Sequence, residues 1–165
     1  MTSDDWAARV AALWDASDEL GDNILLERMD ELVAERPDTD ARAAYEAGSV
    51  RDSVGLEAEA AQLYQRALDL QLDEPLRSQL LIQYASTLRN LRRYDEGLAL
   101  LDGIGRDHEL ADAAAAFRAL ILSSKGEVAE ALSLALATLA PHLPRYQRSV
   151  RNYAEELPER IGNGG

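Results

Sequence analysis

The sequence predicts an all-α fold, and three observations lead to this prediction. Ala and Leu dominate the apolar residues, whereas Val and Ile are few and only nine residues are aromatic, a balance that favours helices over strands. Apolar residues recur at helical spacing along most of the chain. Small residues also form three pairs, each with an internal separation of twelve residues. The pairs are Gly48 with Ala60, Ala85 with Gly97, and Ala119 with Ala131.

The first forty residues are predicted to form a helix pair that differs from the rest. Apolar residues from Trp6 to Trp14 follow helical spacing, and Gly21 breaks this helix. A second helix runs toward Pro37, with bulky apolar residues where later segments have Ala or Gly. Segment 1–40 is therefore predicted to be a divergent repeat or an N-terminal cap.

Three further helix pairs are predicted over residues 41–74, 78–111 and 112–145. In each pair a chain break follows the first small residue by seven positions, where the first helix must end. The breaks are Gly55, Arg92 and Gly126. Residues 146–165 are predicted to form a charged capping helix and a flexible tail, so the whole chain is expected to be a single domain.

The small-residue pairs recur after 37 and then 34 residues, which is close to the period of helix–turn–helix repeats. A small residue on each helix lets the two helix axes approach closely. The larger residue four positions beyond the second small residue, Tyr64 or Leu101, is predicted to face the neighbouring pair. Such repeats stack and expose a surface suited to another chain, so the pattern indicates partner binding.

These residues resemble the tetratricopeptide repeat family over residues 41–145. The first repeat has the family's spacing of small and aromatic residues from Gly48 to Ala67, the second has RYDEG at 93–97, and the third has GEVAEAL at 126–132. The resemblance implies antiparallel helix pairs stacked as a right-handed solenoid. It also implies a non-catalytic scaffold that binds a peptide or partner protein on a concave face formed by the first helices.

The resemblance further implies which residues line that face. The predicted partner-binding residues are Arg42, Tyr45, Ser49, Asp52, Gln79, Gln83, Ser86, Arg89 and Asn90. The third repeat is expected to add Ala113, Ala116, Leu120 and Ser123. The paired Lys and Asn with which some family members clamp a C-terminal carboxylate are absent from the matching positions.

Charge is distributed unevenly along the chain. Residues 1–75 contain 19 acids and 6 arginines, which accounts for the net charge of −13, whereas residues 76–165 are balanced. The acidic half serves solubility or docks a basic partner. Nucleic acid is not expected as a partner, because phosphate contact needs clustered cations. Arg145, Arg148 and Arg151 lie close to two tyrosines, but acidic residues follow them at once.

No cofactor, membrane span or export signal is expected, and the predicted location is the cytoplasm. The chain has no cysteine, and no HExxH, Walker, GxSxG or dinucleotide-binding motif occurs. Two alternatives stay open. One is a helical metal-dependent enzyme that uses carboxylates from Glu27 to Glu35, or the loop histidines His108 and His142. The other is a homodimer formed through the first helices, with Trp6 and Trp14 exposed.

Overall fold

The computed structural model describes the backbone of residues 3–162 and the side chains of residues 5–158. Within that part of the chain there are nine α-helices and no strand, so the all-α prediction is confirmed. The helices are α1 (Ser3–Asp15), α2 (Asp22–Ala34), α3 (Ala41–Ser53), α4 (Glu57–Asp69), α5 (Leu76–Asn90), α6 (Tyr94–Leu101), α7 (Ala111–Lys125), α8 (Val128–Leu139) and α9 (Gln147–Gly162). None of these described helices combines the length and the hydrophobicity needed to cross a bilayer.

The chain divides into two compact units, Met1–Leu80 and Leu81–Gly165, with the boundary inside α5. The core of the first unit joins α1, α2 and α3. Its buried members are Trp6, Val10, Leu13, Leu25, Met29, Leu32, Ala43 and Val50. Trp6 Nε1 donates a hydrogen bond to the Leu32 carbonyl at 2.8 Å, which ties α1 to α2. The bulky residues predicted for the first helix pair therefore fill a core between helices.

The tryptophans of α1 are not the exposed pair that the homodimer interpretation requires. Trp6 is 2% exposed because the apolar stripe of α1 packs onto α2. Trp14 is half-buried, and its Nε1 donates to Glu46 Oε2 at 2.9 Å. Exposed tryptophans therefore give no support to self-association, because both side chains are engaged within the first unit.

Helix α3 begins at a side-chain cap. Asp40 Oδ1 accepts a hydrogen bond from the Ala43 amide at 3.0 Å, which satisfies a donor that the first turn leaves unpaired. The second oxygen accepts from Arg36 Nε at 2.7 Å. Burial alone would raise the pKa of the Asp40 carboxyl, but these hydrogen bonds hold it below its ordinary value.

Glu46 is a buried carboxylate, 5% exposed, on the same helix. Burial raises its pKa, although the hydrogen bond from Trp14 and the charge of Arg42, whose Nε lies 3.8 Å from Glu46 Oε1, oppose that rise. A raised folded pKa means that the protonated form is favoured in the folded state. The stabilisation is complete below the unfolded pKa and is lost as pH rises through the folded one.

We therefore expect Glu46→Gln to gain stability relative to the natural chain as pH rises from 4 to 7. The amide oxygen can still accept from Trp14 Nε1, whereas the charge that burial disfavours is gone. Urea denaturation across this pH range measures the difference. Glu46→Ala is the comparison, because it removes the acceptor together with the charge. A difference between Glu46→Gln and the natural chain that does not change with pH would contradict the prediction.

The three predicted chain breaks adopt the same backbone geometry. Gly55, Arg92 and Gly126 have φ values of +79°, +60° and +99°, in the left-handed region. In each case the amide one residue later donates to a carbonyl five positions back, over 2.8 to 2.9 Å. The helices thus end in a Schellman motif, which is usually formed with glycine. Arg92 is the exception, because it adopts this conformation with a side chain attached.

Arg92→Gly is expected to stabilise the chain by about 0.5–1 kcal/mol. A left-handed residue with a Cβ is strained by about 1–2 kcal/mol, and glycine relieves this strain. Part of the gain is lost because glycine raises the entropy of the unfolded chain. The Arg92 side chain is exposed, so little packing is lost. Gly126→Ala is the converse control. A Cβ there meets nothing within 4 Å, so its expected loss is due to the backbone alone. Thermal melting measures both variants, and a destabilised Arg92→Gly would contradict the strain argument.

The small-residue pairs lie where helices approach each other. In the second unit, a Cβ placed on Gly97 would lie 3.1 Å from the Ala85 carbonyl oxygen, so this pair is in direct contact. In the first unit, a Cβ on Gly48 would lie 2.8 Å from Tyr64 Cδ1, and Ala60 is fully buried. The closest side chain to Gly48 is thus Tyr64, four residues beyond the predicted partner on α4.

Candidate functional site

The predicted binding residues of the first unit lie mainly on α3, and they differ in exposure. Tyr45 and Ser49 are only 5% and 8% exposed, because α3 packs closely against α4. Arg42 and Asp52 are half-buried, and Gln79, on α5, is exposed. The Arg42 guanidinium carbon lies 5.6 Å from the centre of the Trp6 ring, a cation–π contact. Arg42, Asp52 and Gln79 therefore offer the accessible polar groups of this set.

The two buried members belong to a polar cluster around Tyr64. The Tyr45 and Tyr64 ring centroids are 6.3 Å apart and tilted by 37°. Ser49 and Asp52 interact with the Tyr64 hydroxyl, and burial strongly raises the Tyr64 pKa. Tyr64, which was predicted to face the neighbouring pair, thus packs on Gly48 and Tyr45 within its own helix pair. Tyr45 and Ser49 have a structural role here, and their role in binding stays a prediction.

The predicted residues of the second unit lie along α5. Gln83, Ser86 and Arg89 are half-buried, and Asn90 is exposed. Arg89 donates one hydrogen bond to Asn90 Oδ1 at 3.3 Å. Gln83 Oε1 and Arg89 Nε are buried atoms that have no hydrogen-bond partner among the described residues. Buried polar atoms are nearly always paired, so rotation of these half-buried side chains toward a bound chain would satisfy both atoms.

A second candidate surface is an apolar groove between α7 and α8, which we call the α7–α8 groove. It has a volume of about 640 Å³. Its lining residues are Asp112, Ala116, Ala119, Leu120, Ser123, Val128, Ala131, Leu132, Ala135, Thr138, Leu139 and His142. Almost all of these are apolar or small, so the groove can bury apolar side chains but offers few hydrogen bonds.

Three of the four third-repeat residues predicted to line a binding surface do line this groove: Ala116, Leu120 and Ser123. The fourth, Ala113, packs instead against the hydrophobic cluster that includes Ile82 and Leu101. The α8 side of the groove was missed by sequence reasoning. Its signal was present, because apolar residues cover more of α8 than one buried stripe requires.

The residues of the enzyme alternative are engaged in other contacts. Asp30, in the C-terminal half of α2, and Glu35, just after its end, accept hydrogen bonds from Arg51 and Arg9 respectively, at 2.9 Å and 2.7 Å. His108 Nδ1 accepts from the Leu110 amide, and His142 Nε2 lies 2.9 Å from Asp112 Oδ2. Among the described side chains, no group of three His, Asp or Glu residues is placed to hold a metal ion.

Comparison with known proteins gives one match. The family model described as tetratrico peptide repeat matches residues 41–157, which is more than half of the chain. No curated protein and no solved structure matches the chain. The matched range contains the three predicted chain breaks, Gly55, Arg92 and Gly126, and all three small-residue pairs. The chain therefore belongs to the tetratricopeptide repeat family.

Proposed function

We propose that this chain is a non-catalytic scaffold that binds a peptide or partner protein through the first helices of its repeats. Family membership supports protein–protein interaction as the general role. The binding groups are proposed to be Arg42, Asp52 and Gln79 in the first unit and Gln83 and Arg89 in the second. A cytoplasmic location belongs to the same proposal.

The observation that carries the proposal is the unpaired polarity of α5. Gln83 Oε1 and Arg89 Nε are buried without a partner among the described residues, and buried polar atoms are nearly always paired with protein, water or a ligand. An extended peptide supplies backbone donors and acceptors of the kind that these two groups need. The acidity of residues 1–75 favours a partner that carries basic residues.

Capture from an extract of the native host, quantified by mass spectrometry, tests the proposal. Proteins captured by the natural chain should be lost when Gln83 and Arg89 are both replaced by alanine. Arg106→Ala is the matched control, because Arg106 is an exposed arginine of the same unit that lies outside α5. Capture that survives the double replacement would assign binding to another surface, and capture of nothing by the natural chain would reject the scaffold role.

A further inference from the structure

The α7–α8 groove exposes several large apolar side chains to solvent. Leu120, Val128, Leu132 and Leu139 are 47%, 57%, 46% and 49% exposed, and all four line the groove. Single exposed leucines are ordinary, but several large apolar side chains on one concave surface are characteristic of a binding site.

In the preceding helix pair, α5 and α6, the equivalent apolar face is covered by α7. There, Ala114, Phe117 and Ile121 of α7 pack into one hydrophobic cluster with residues of α5 and α6. Those residues are Ile82, Ala85, Tyr94, Leu98, Leu100 and Leu101. The contact is close, because a Cβ on Gly97 would lie 3.1 Å from Ile121 Cδ1. A helix with apolar residues at positions i, i+3 and i+7 therefore covers this face.

The groove is the same face one repeat later. Adding 34 to each of these six positions gives five residues that line the groove and one, Leu134, that does not. The five that line the groove are Ala116, Ala119, Val128, Leu132 and Ala135. Helix α9 packs against α8, yet the four large side chains of the groove stay about half exposed. In the repeat register α9 follows α8 as α7 follows α6, but α9 leaves this face open. The groove can therefore still receive a helix that lies as α7 does.

Positive charge near one end of the groove indicates that the bound helix carries acidic residues at that end. His142 lines this end, and the Gln147 side chain donates to the Pro141 and Leu143 carbonyls, which holds the following turn together. Residues 131–154 contain no Asp or Glu but three arginines, and Glu155 and Glu156 follow further along α9. Those arginines are Arg145, Arg148 and Arg151, all exposed and without an ion pair among the described side chains. The carboxylate of Asp112, at this same end, lies against His142.

The orientation of the occupant follows from α7. A short connection joins α6 to α7, so α7 begins beside the end of α6. A helix seated in the same way on α8 begins near His142, which Arg145 follows by three residues. Acidic residues in its first turn are then favoured twice, by the arginines and by the helix dipole.

We propose that the α7–α8 groove binds an amphipathic helix of a partner protein, with apolar residues at i, i+3 and i+7 and an acidic first turn. This surface is distinct from the α5 residues assigned above. The inference rests on one part of the proposed function, namely that the chain binds another protein.

Two synthetic peptides test the inference with the whole chain. Each contains the sequence of residues 111–125, held helical by a staple on its outer face, because α7 is the helix that fills the equivalent face. One peptide begins with three glutamates and the other with three lysines. By fluorescence anisotropy, the glutamate peptide should bind at least about tenfold more tightly at low salt, and added salt should shrink that difference.

Leu132→Asp should abolish binding of the glutamate peptide, and Val128→Asp is a second groove variant. The matched control is Ile24→Asp in the first unit, since Ile24 and Leu132 are 45% and 46% exposed. Circular dichroism confirms that each variant is folded. Equal binding of both peptides, or binding unchanged by both groove variants, would overturn the inference.

Sedimentation and truncation test two other possible occupants of the groove, a second copy of the chain and the chain's own C-terminal residues. A natural chain that is dimeric, with a monomeric Leu132→Asp variant, would assign the groove to a second copy and overturn the inference. Binding that occurs only after removal of residues 159–165 would assign it to the chain's own tail, with the same consequence. If extract proteins are lost with the Gln83 and Arg89 replacements while neither peptide binds, the inference fails and the proposed function stands.

Discussion

Replacing Trp6 with alanine is expected to lower the free energy of unfolding by about 3–5 kcal/mol, the usual cost of emptying a buried tryptophan site. Trp6 is 2% exposed, and its Nε1 bonds to the Leu32 carbonyl at 2.8 Å. The guanidinium carbons of Arg36 and Arg42 lie 5.3 and 5.6 Å from the ring centre, so the replacement also removes two cation–π contacts. Urea denaturation followed by circular dichroism measures the loss.

Two comparisons separate the causes of that loss. Trp6→Phe keeps most of the apolar contact but removes the hydrogen bond, so its expected cost is nearer about 1 kcal/mol. Tyr153→Ala removes an aromatic side chain that is 64% exposed, and its effect should stay within about 0.5 kcal/mol. If Trp6→Ala unfolded at the same urea concentration as the natural chain, Trp6 would not be part of a core.

Features set by local backbone and side-chain size were predictable from the sequence. Gly55 and Gly126 end their helices in left-handed conformations, as glycine permits at low cost. Arg92 was predicted as a break only from its position in the repeat, and the structure gives it the same conformation. The contact of Gly97 with Ala85 likewise follows from their spacing, because two small residues allow the helices to touch.

Features that depend on what lies against a helix were harder to predict. Tyr45 and Ser49 occupy binding positions by resemblance, yet both are buried in the first unit. Leu98 and Leu132 are equivalent in the repeat, but Leu98 packs in a cluster with α7 and Leu132 is 46% exposed. The pattern of apolar residues is alike in both cases. A repeat pattern predicts that an apolar face will pack against a neighbouring helix. It does not predict whether that helix belongs to the same chain.

Replacing Gly48 with alanine is expected to destabilise the first unit, although alanine is the better helix former by about 1 kcal/mol. The added Cβ would lie 2.8 Å from Tyr64 Cδ1 and 3.0 Å from Cε1. The Tyr64 ring is fully buried and stacked at a tilt on Tyr45, so it cannot swing away into solvent. Overpacking of this kind costs about 1–3 kcal/mol, which equals or exceeds the gain in helix propensity.

A double-mutant cycle with Tyr64→Leu tests this cause of the Gly48→Ala loss. The smaller side chain removes the ring atoms that the new Cβ meets, so Gly48→Ala should become neutral or stabilising in that background. Gly105→Ala is the control, since a Cβ there meets nothing within 4 Å. An equal loss in both backgrounds would mean that contact with the Tyr64 ring is not the cause of the loss. The close approach of α3 to α4 therefore depends on Gly48. It has no side chain, and it lies against a Tyr64 ring that is fully buried and cannot move aside.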